Sequence, residues 1–110
     1  MDIEALAPFN YVRERGGITV TGIKDRERCY VVNIPEGVTS VGESAFSYCS
    51  SLSKLTLPST LTQLGKFVVE GCGSLTEIHF AGTKKQWRKV NKHKENRALK
   101  KKKIICDGGK

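Results

Sequence analysis

Residues 34–56 read IPEGVTSVGESAFSYCSSLSKLT, and residues 57–79 read LPSTLTQLGKFVVEGCGSLTEIH. Both stretches are 23 residues long, and they align without a gap, with identical residues at six positions. The identical pairs are Pro35 and Pro58, Thr39 and Thr62, Gly42 and Gly65, Cys49 and Cys72, Ser51 and Ser74, and Leu52 and Leu75. Because most other apolar positions stay apolar, the two stretches form a tandem repeat.

Each repeat ends in the pattern L-x-x-L-x-L, and three copies of it begin at Cys29, Leu52 and Leu75. Apolar residues at alternate positions predict a short β-strand whose side chains point in turn to the core and to solvent. A single coil cannot bury its apolar side, so the coils must stack into a solenoid. We predict short parallel strands in about three to four coils. Turns at Gly42 and Gly65 and short helical or 3-10 segments, such as residues 43–48, connect the strands.

The two ends of such a stack need covering, and the terminal sequences carry suitable signals. Gly16-Gly17 separates two strand-like runs within residues 10–21, which predicts a β-hairpin as the N-terminal cap. Thr83 and Gln86 fit a helix capping box at the other end. We expect Trp87 to lie over the last coil, with ligand stacking as the alternative, and residues 104–105 to form a fourth strand beside residues 78–80.

Positive charge is concentrated in the last quarter of the chain. Residues 1–83 contain seven basic and nine acidic residues, a net charge of −2, whereas residues 84–110 contain twelve basic and two acidic residues, a net charge of +10. With 110 residues, 38% of them hydrophobic, the chain can form one small core but cannot enclose a large active-site pocket. No apolar run approaches the roughly 18 residues of a membrane span.

The pattern I-P-x-x-V-T-x-V-G-x-x-A-F-x-x-C-x-S-L, which begins at Ile34, resembles the BspA-type leucine-rich repeat of many bacterial proteins. The resemblance covers residues 31–87, and residues 80–87 and 104–108 resemble the segments that close such arrays. It implies a leucine-rich-repeat solenoid that binds proteins, with many relatives at bacterial surfaces and some implicated in adhesion. One departure is Phe67-Val68-Val69, where the family has aromatic-Ala-Phe; β-branched residues favour extended backbone and predict a flatter second coil.

On this resemblance we divide a single domain into three parts. Residues 1–30 form an N-terminal cap with the β-hairpin, residues 31–82 form the leucine-rich repeats, and residues 83–110 form a basic C-terminal cap or tail of helix and strand.

The residues that could carry catalysis form no recognisable constellation. The four cysteines, at positions 29, 49, 72 and 106, include no C-x-x-C pair, so we predict no metal site and no cofactor. Cys49 and Cys72 should lie one coil apart, a spacing of about 4.8 Å, which fits buried thiols and leaves a disulfide open. His79 and His93 are expected at the surface, His79 with only Glu77 beside it. We therefore expect a protein that is not an enzyme.

The outward positions of the strands form the first candidate binding site. The repeat period arranges them in two rows, Val31, Lys54 and Glu77 in one and Asn33, Thr56 and His79 in the other. Two such rows on a slightly concave sheet predict a patch that binds a protein partner. The alternative is a strand face that is only solvated, because the charges are mixed and no aromatic side chain anchors the patch.

The basic segment is the second candidate site, for phosphate or an acidic partner. Its members are Lys84, Lys85, Arg88, Lys89, Lys92, Lys100, Lys101, Lys102 and Lys103. Lysine–phosphate contacts would make the protein a nucleic-acid or nucleoprotein binder, or an inhibitor, with steep salt dependence. The alternative is a solvated tail. The segment has one aromatic residue, Trp87, and no RNA-binding signature, which argues against nucleic acid.

The main functional prediction is a non-catalytic interaction module that binds another protein through its strand face, with nucleic-acid binding as the alternative. Self-association through an exposed solenoid end is a further partner prediction. The first eight residues, MDIEALAP, have no basic n-region and no long apolar run, so they do not read as an export signal. The chain as written is therefore expected in the cytoplasm, or at the cell surface or secreted as a fragment of a larger family member.

Overall fold

The chain passes back and forth between two sheets of mostly parallel strands. The computed structural model describes residues 6–108, and their elements are β1 (Phe9–Glu14), β2 (Gly17–Ile23), β3 (Val31–Asn33), β4 (Val38–Val41), β5 (Lys54–Leu57), β6 (Gln63–Leu64), β7 (Glu77–Phe80), α1 (Lys84–Lys89), β8 (Asn91–Lys92), α2 (Arg97–Lys100) and β9 (Lys103–Cys106). The front sheet has the order β3-β5-β7-β9, and the back sheet has the order β1-β2-β4-β6-β8. Each 23-residue repeat contributes one strand to each sheet, as in a solenoid.

The front sheet is built from the L-x-L segments that the sequence singled out. All its pairs are parallel, and the register advances by 23 residues from Val31 to Lys54 and again to Glu77. β9 then pairs with β7, with Ile78 opposite Ile104, as the fourth-strand prediction required. The prediction of short parallel strands that repeat along the chain is confirmed.

The back sheet was not predicted. Its repeat strands are only two to four residues long, and β4, β6 and β8 pair in parallel. Val38 and Val41 are buried, but three positions separate them, so β4 carries no period-two pattern in the sequence. The hairpin of β1 and β2 joins this sheet because β2 runs parallel to β4.

Residues 43–48 form consecutive turns, so the prediction of short helical or 3-10 segments between the repeat strands is wrong. No helix lies within residues 31–82, all of which the structure describes. The N–H of Ala45 bonds to Gly42 in the same coil (3.3 Å), whereas the N–H of Ser44 bonds to Lys66 (2.9 Å) in the next coil. Every second backbone N–H of this segment bonds to the next coil, so it is not available for the hydrogen bonds of a helix.

The prediction of a flatter second coil is also wrong. Val68 and Val69 lie in turns at the positions that match those of the first coil. Both side chains are buried in the core, where burial outweighs the preference of β-branched residues for extended backbone.

The two sheets enclose one hydrophobic core. Its members include the three apolar residues of each L-x-x-L-x-L copy, together with Phe46 from the turn segment. At one end the ring of Phe9 meets that of Phe46 edge-on, with centroids 6.3 Å apart. At the other end the ring of Trp87 lies 5.2 Å from that of Phe80. Thr83 and Gln86 form the capping box that the sequence predicted for α1.

The cysteines are free thiols, and three of them are buried in the core. Cys29, Cys49 and Cys72 are buried and Cys106 is half-buried. The thiol of Cys72 donates to the carbonyl of Phe46 (3.0 Å). Burial raises the pKa of Cys49 to about 12 and also raises the pKa of Cys72, so both remain protonated at neutral pH.

Gly65 is required by a close approach between coils. A Cβ atom at this position would lie 2.7 Å from the backbone nitrogen of Glu43, in the preceding coil. At the equivalent position, a Cβ on Gly42 would be 3.6 Å from the carbonyl oxygen of Val20, an ordinary contact. Neither glycine has a positive φ, so neither is needed for an unusual turn conformation.

We expect Gly65→Ala to destabilise the protein and Gly42→Ala to be tolerated. The added methyl at Gly65 pushes two backbones apart, and overpacking of this kind costs about 2 kcal/mol. Urea unfolding followed by circular dichroism gives the free energy of unfolding of both variants. Equal losses in the two variants would contradict the assignment of the close approach to Gly65.

Alkylation should distinguish the thiols. Cys106 is half-buried and should react first with iodoacetamide, whereas Cys49 should react last because it is buried and its pKa is high. Mass spectrometry of tryptic peptides over a time course measures each rate, and the urea-unfolded chain serves as the control in which all four react alike. Rapid labelling of Cys49 in the folded chain would contradict its place in the core.

Candidate interaction site

The outward face of the front sheet brings the six predicted strand-face residues together. Register places Val31, Lys54 and Glu77 in one row, and Asn33, Thr56 and His79 in the other. They alternate with buried side chains of the same strands, so the core holds them in position. β9 extends the first row by Lys103 and the second by Ile105.

The ring of His79 makes two polar contacts on this face. Its Nδ1 lies 3.0 Å from Asp107 Oδ2, and its Nε2 lies 3.1 Å from Glu77 Oε1. The hydrogen bond with Glu77, followed by that with Asp107, raises the pKa of His79, because the imidazolium can donate to both carboxylates. The sequence placed Glu77 near His79. It gave no sign of Asp107, which reaches the face only because β9 pairs with β7.

This arrangement leaves His79 little scope for acid–base chemistry or metal binding. Both ring nitrogens are already engaged by the carboxylates of Glu77 and Asp107. Within residues 6–108, no group of three or more His, Cys, Asp or Glu side chains is positioned to hold a metal ion. The two contacts therefore fix the orientation of the histidine ring on the face.

An aromatic side chain that the sequence analysis overlooked lies beside the first row. Tyr30 directly precedes β3 and is 61% exposed, and the adjacent Val31 is 56% exposed. The Tyr30 carbonyl accepts hydrogen bonds from the N–H and hydroxyl of Ser53, which hold its backbone against β5. Alignment of Tyr30 with Ser53, one repeat later, was the signal that could have placed it here. Tyrosine is among the side chains that contribute most at protein interfaces.

Two of the nine residues of the predicted basic site serve the fold. Lys92 Nζ donates to the carbonyls of Trp87 (2.7 Å) and Val90 (2.8 Å), and it lies 4.6 Å from the centre of the Trp87 ring. Burial lowers the pKa of Lys92. Lys102 Nζ donates to the carbonyl of Cys72 (3.1 Å). These contacts connect the C-terminal segment to itself and to the repeats.

The other members are exposed and are distributed over separate elements. Lys84, Lys85, Arg88 and Lys89 belong to α1, Lys100 and Lys101 lie at the end of α2, and Lys103 joins the strand face. Three elements therefore carry these seven side chains, and a shared phosphate-binding site stays a prediction.

Asn96 connects the basic segment to the second repeat by hydrogen bonds. It is 2% exposed; its Oδ1 accepts from the N–H of Val68 (3.0 Å), and its Nδ2 donates to the carbonyls of Gly65 (2.8 Å) and His93 (3.1 Å). Residues 84–106 thus fold onto the repeats, and the alternative of a solvated tail is wrong for them. No local pattern predicts the contacts of Asn96 with Val68 and Gly65, because both partners come from the second repeat.

The family and structural comparisons agree with this architecture. The model of the BspA type leucine rich repeat region (6 copies) matches residues 26–100. A crystal structure of a leucine rich repeat protein from T. pallidum is similar with a TM-score of 0.60 and 26% identity, over 69% of this chain and 41% of that one. A leucine rich cell surface protein from Faecalibacterium prausnitzii A2-165 is similar with a TM-score of 0.53 and 30% identity, over 56% of this chain and 16% of that one.

The chain spans less than half the length of either similar structure. No curated protein sequence matches it. In the described part of the chain, no helix is long and apolar enough to cross a bilayer.

Two observations identify the family to which the chain belongs. The family match covers more than half of the chain. The front sheet also repeats in register with the period of the sequence. The chain therefore belongs to the BspA-type leucine-rich repeat family.

Proposed function

We propose that this protein is a non-catalytic binding module that recognises another protein through the outward face of its front sheet. The observation that carries the proposal is the in-register arrangement of two rows of side chains across four strands. Because the opposite side of each strand is packed in the core, these side chains are held before a partner arrives. Binding then costs less conformational entropy than it would on a loop.

The side chains on the face change from apolar at the β3 edge to charged on the strands beyond it. The β3 edge offers the exposed side chains of Tyr30 and Val31, which suit an apolar contact at the centre of an interface. The strands beyond it carry Lys54 and the His79 cluster with its two carboxylates. A partner with an apolar or aromatic contact residue and charges of both signs around it would complement this face.

We further propose that the two terminal segments cover the ends of the repeats within one domain. Packing of Phe9 on Phe46 supports this role for residues 1–30, and packing of Trp87 on Phe80 supports it for residues 83–110. Similarity to a cell surface protein supports display outside the cell for a longer protein that contains this chain.

Charge reversal tests the binding face. A photo-crosslinking amino acid at Thr56 should capture a discrete partner in producing cells, and the same amino acid at Ser50, an exposed turn residue, should not. Lys54→Glu should then weaken binding of the purified partner about ten-fold or more, as expected for a charge within an interface. Calorimetry measures the affinity.

Lys66→Glu is the matched control for charge reversal. Lys66 is also a lysine of the repeats, with a partly exposed side chain, but it pairs with Glu43 (3.7 Å) at the turns and lies off the front sheet. Lys66→Glu should leave the affinity unchanged. Equal effects of the two substitutions, or no crosslink from Thr56, would refute the proposed face.

The stability of the folded chain should depend on pH through the titration of His79. Its folded pKa is raised above the unfolded value of about 6.5 by Glu77 and Asp107. The stabilisation from this pair of contacts is therefore fully present below the unfolded pKa and is lost as pH rises through the folded pKa.

Nuclear magnetic resonance of the imidazole protons measures the midpoint directly. Glu77→Gln and Asp107→Asn should each lower it, with the larger shift for Glu77→Gln, and the urea-unfolded chain supplies the reference. A His79 midpoint equal in the folded and unfolded chains would show that the carboxylates do not engage the ring.

A further inference from the structure

The outer edge of β3 is open within residues 6–108, because β3 pairs with β5 alone. On the β5 side, the N–H of Ile34 donates to Thr56 (3.0 Å), and the carbonyl of Tyr30 accepts from Ser53 (2.8 Å). Backbone groups of alternate residues point to opposite edges of a parallel strand. The N–H and C=O groups of Val31 and Asn33 are therefore directed to the open edge.

The N-terminal hairpin does not cover this edge, because it continues the back sheet through β2 and β4. Instead, the base of the hairpin forms one wall of a groove of about 400 Å³ beside β3. Phe9 and Ile23 line the groove from the hairpin, and Cys29 and Val32 line it from the β3 side. An apolar slot thus runs next to unpaired backbone groups.

The other sheet edges carry features that discourage strand addition. β1 has a bulge between Asn10 and Tyr11 and carries the exposed charges of Arg13 and Glu14. β8 has only two residues, and β9 begins with an exposed lysine. Charges, bulges and short length are the usual protections of an edge. β3 has three residues, VVN, without a charge or a proline, so short length is its one protection.

The charges at the groove favour an acidic ligand. Lys24 and Arg28 line it, and Asp25 is the acidic residue among its lining residues. The Asp25 carboxylate already accepts the backbone N–H groups of Glu27 and Arg28, both at 3.1 Å. Neither Lys24 nor Arg28 forms an ion pair within residues 6–108, so both can pair with a ligand.

We propose that the β3 edge binds an extended, acidic segment of a partner protein as an additional strand of the front sheet. The backbone of the segment would bond to Val31 and Asn33, an apolar side chain would enter the groove between Phe9 and Ile23, and an acidic side chain would meet Lys24 or Arg28. Strand addition of this kind takes its affinity from the main chain and its selectivity from pockets beside the edge. The proposal uses the outward backbone groups of Val31 and Asn33, whose side chains belong to the strand face, and it does not depend on the function proposed for that face.

Selection of peptides on the full chain tests the proposal. A phage-displayed library of random peptides is panned on the immobilised protein, and the enriched sequence is synthesised with a fluorescent label. Enriched peptides should combine alternating β-branched residues with an acidic residue. Fluorescence anisotropy then measures their affinity for the native chain and its variants.

Val31→Pro should reduce that affinity about ten-fold, the scale of one lost hydrogen bond at its upper value. Proline removes the outward N–H and leaves the bonds to β5 intact, since it is tolerated at a sheet edge. Val31→Thr is the matched control, because it keeps both the N–H and a β-branched shape, and it should bind as the native chain does. Lys24→Glu with Arg28→Glu should weaken binding of the acidic peptide.

Amide hydrogen exchange on the native chain gives a second measurement that needs no variant. Addition of the peptide should protect the amides of Val31 and Asn33. Failure to enrich any extended acidic peptide, or equal binding to Val31→Pro, would overturn the proposal.

Two other results would assign the contact elsewhere and equally overturn it. Protection of Thr56 and His79 instead of Val31 would place the peptide on the strand face. A native dimer in sedimentation that becomes a monomer in Val31→Pro would assign the edge to a second copy of this chain.

Discussion

Backbone hydrogen bonds between successive coils dictate the path of the chain. The N–H of Ile34 bonds to Thr56, that of Thr62 bonds to Thr39, and that of Ser44 bonds to Lys66, so all sides of a coil are tied to the next. A buried polar group without a partner is costly, so every coil must follow the path of its neighbour. This pairing imposes the period of 23 residues, the glycine at the close approach and the stacking of apolar positions.

The same pairing determines where chemistry is available on the surface. Side chains on the front sheet are aligned in rows with fixed spacing, which favours recognition of a surface over enclosure of a small molecule. The backbone N–H and C=O groups that would bond to a further coil are left without a partner where the stacking stops. The open edge of β3 is one such place, and the hairpin leaves it accessible because the hairpin extends the other sheet.

The high positive charge of the C-terminal segment has a partly structural explanation. Lys92 and Lys102 use their ammonium groups to satisfy backbone carbonyls, and Asn96 connects the segment to the second repeat. Lys103 becomes part of the strand face through β9. A count of basic residues therefore overstated the charge available to one ligand, because side chains that are close in the sequence belong to elements with different roles.

Short spacings along the chain encode the repeat, the family, the front-sheet strands, the hairpin and the capping box at Thr83, so these features can be predicted from the sequence. Contacts between distant residues produce the back sheet, the turns in place of helices, the pairing of His79 with Asp107 and the groove beside β3. The backbone of residues 43–48 could form a helix or turns by local preference, and the donors used by the next coil settled the outcome. These long-range contacts join residues a repeat or more apart, so no local sequence pattern predicts them. Alternating burial along a strand is a local pattern, and the sequence therefore predicts it.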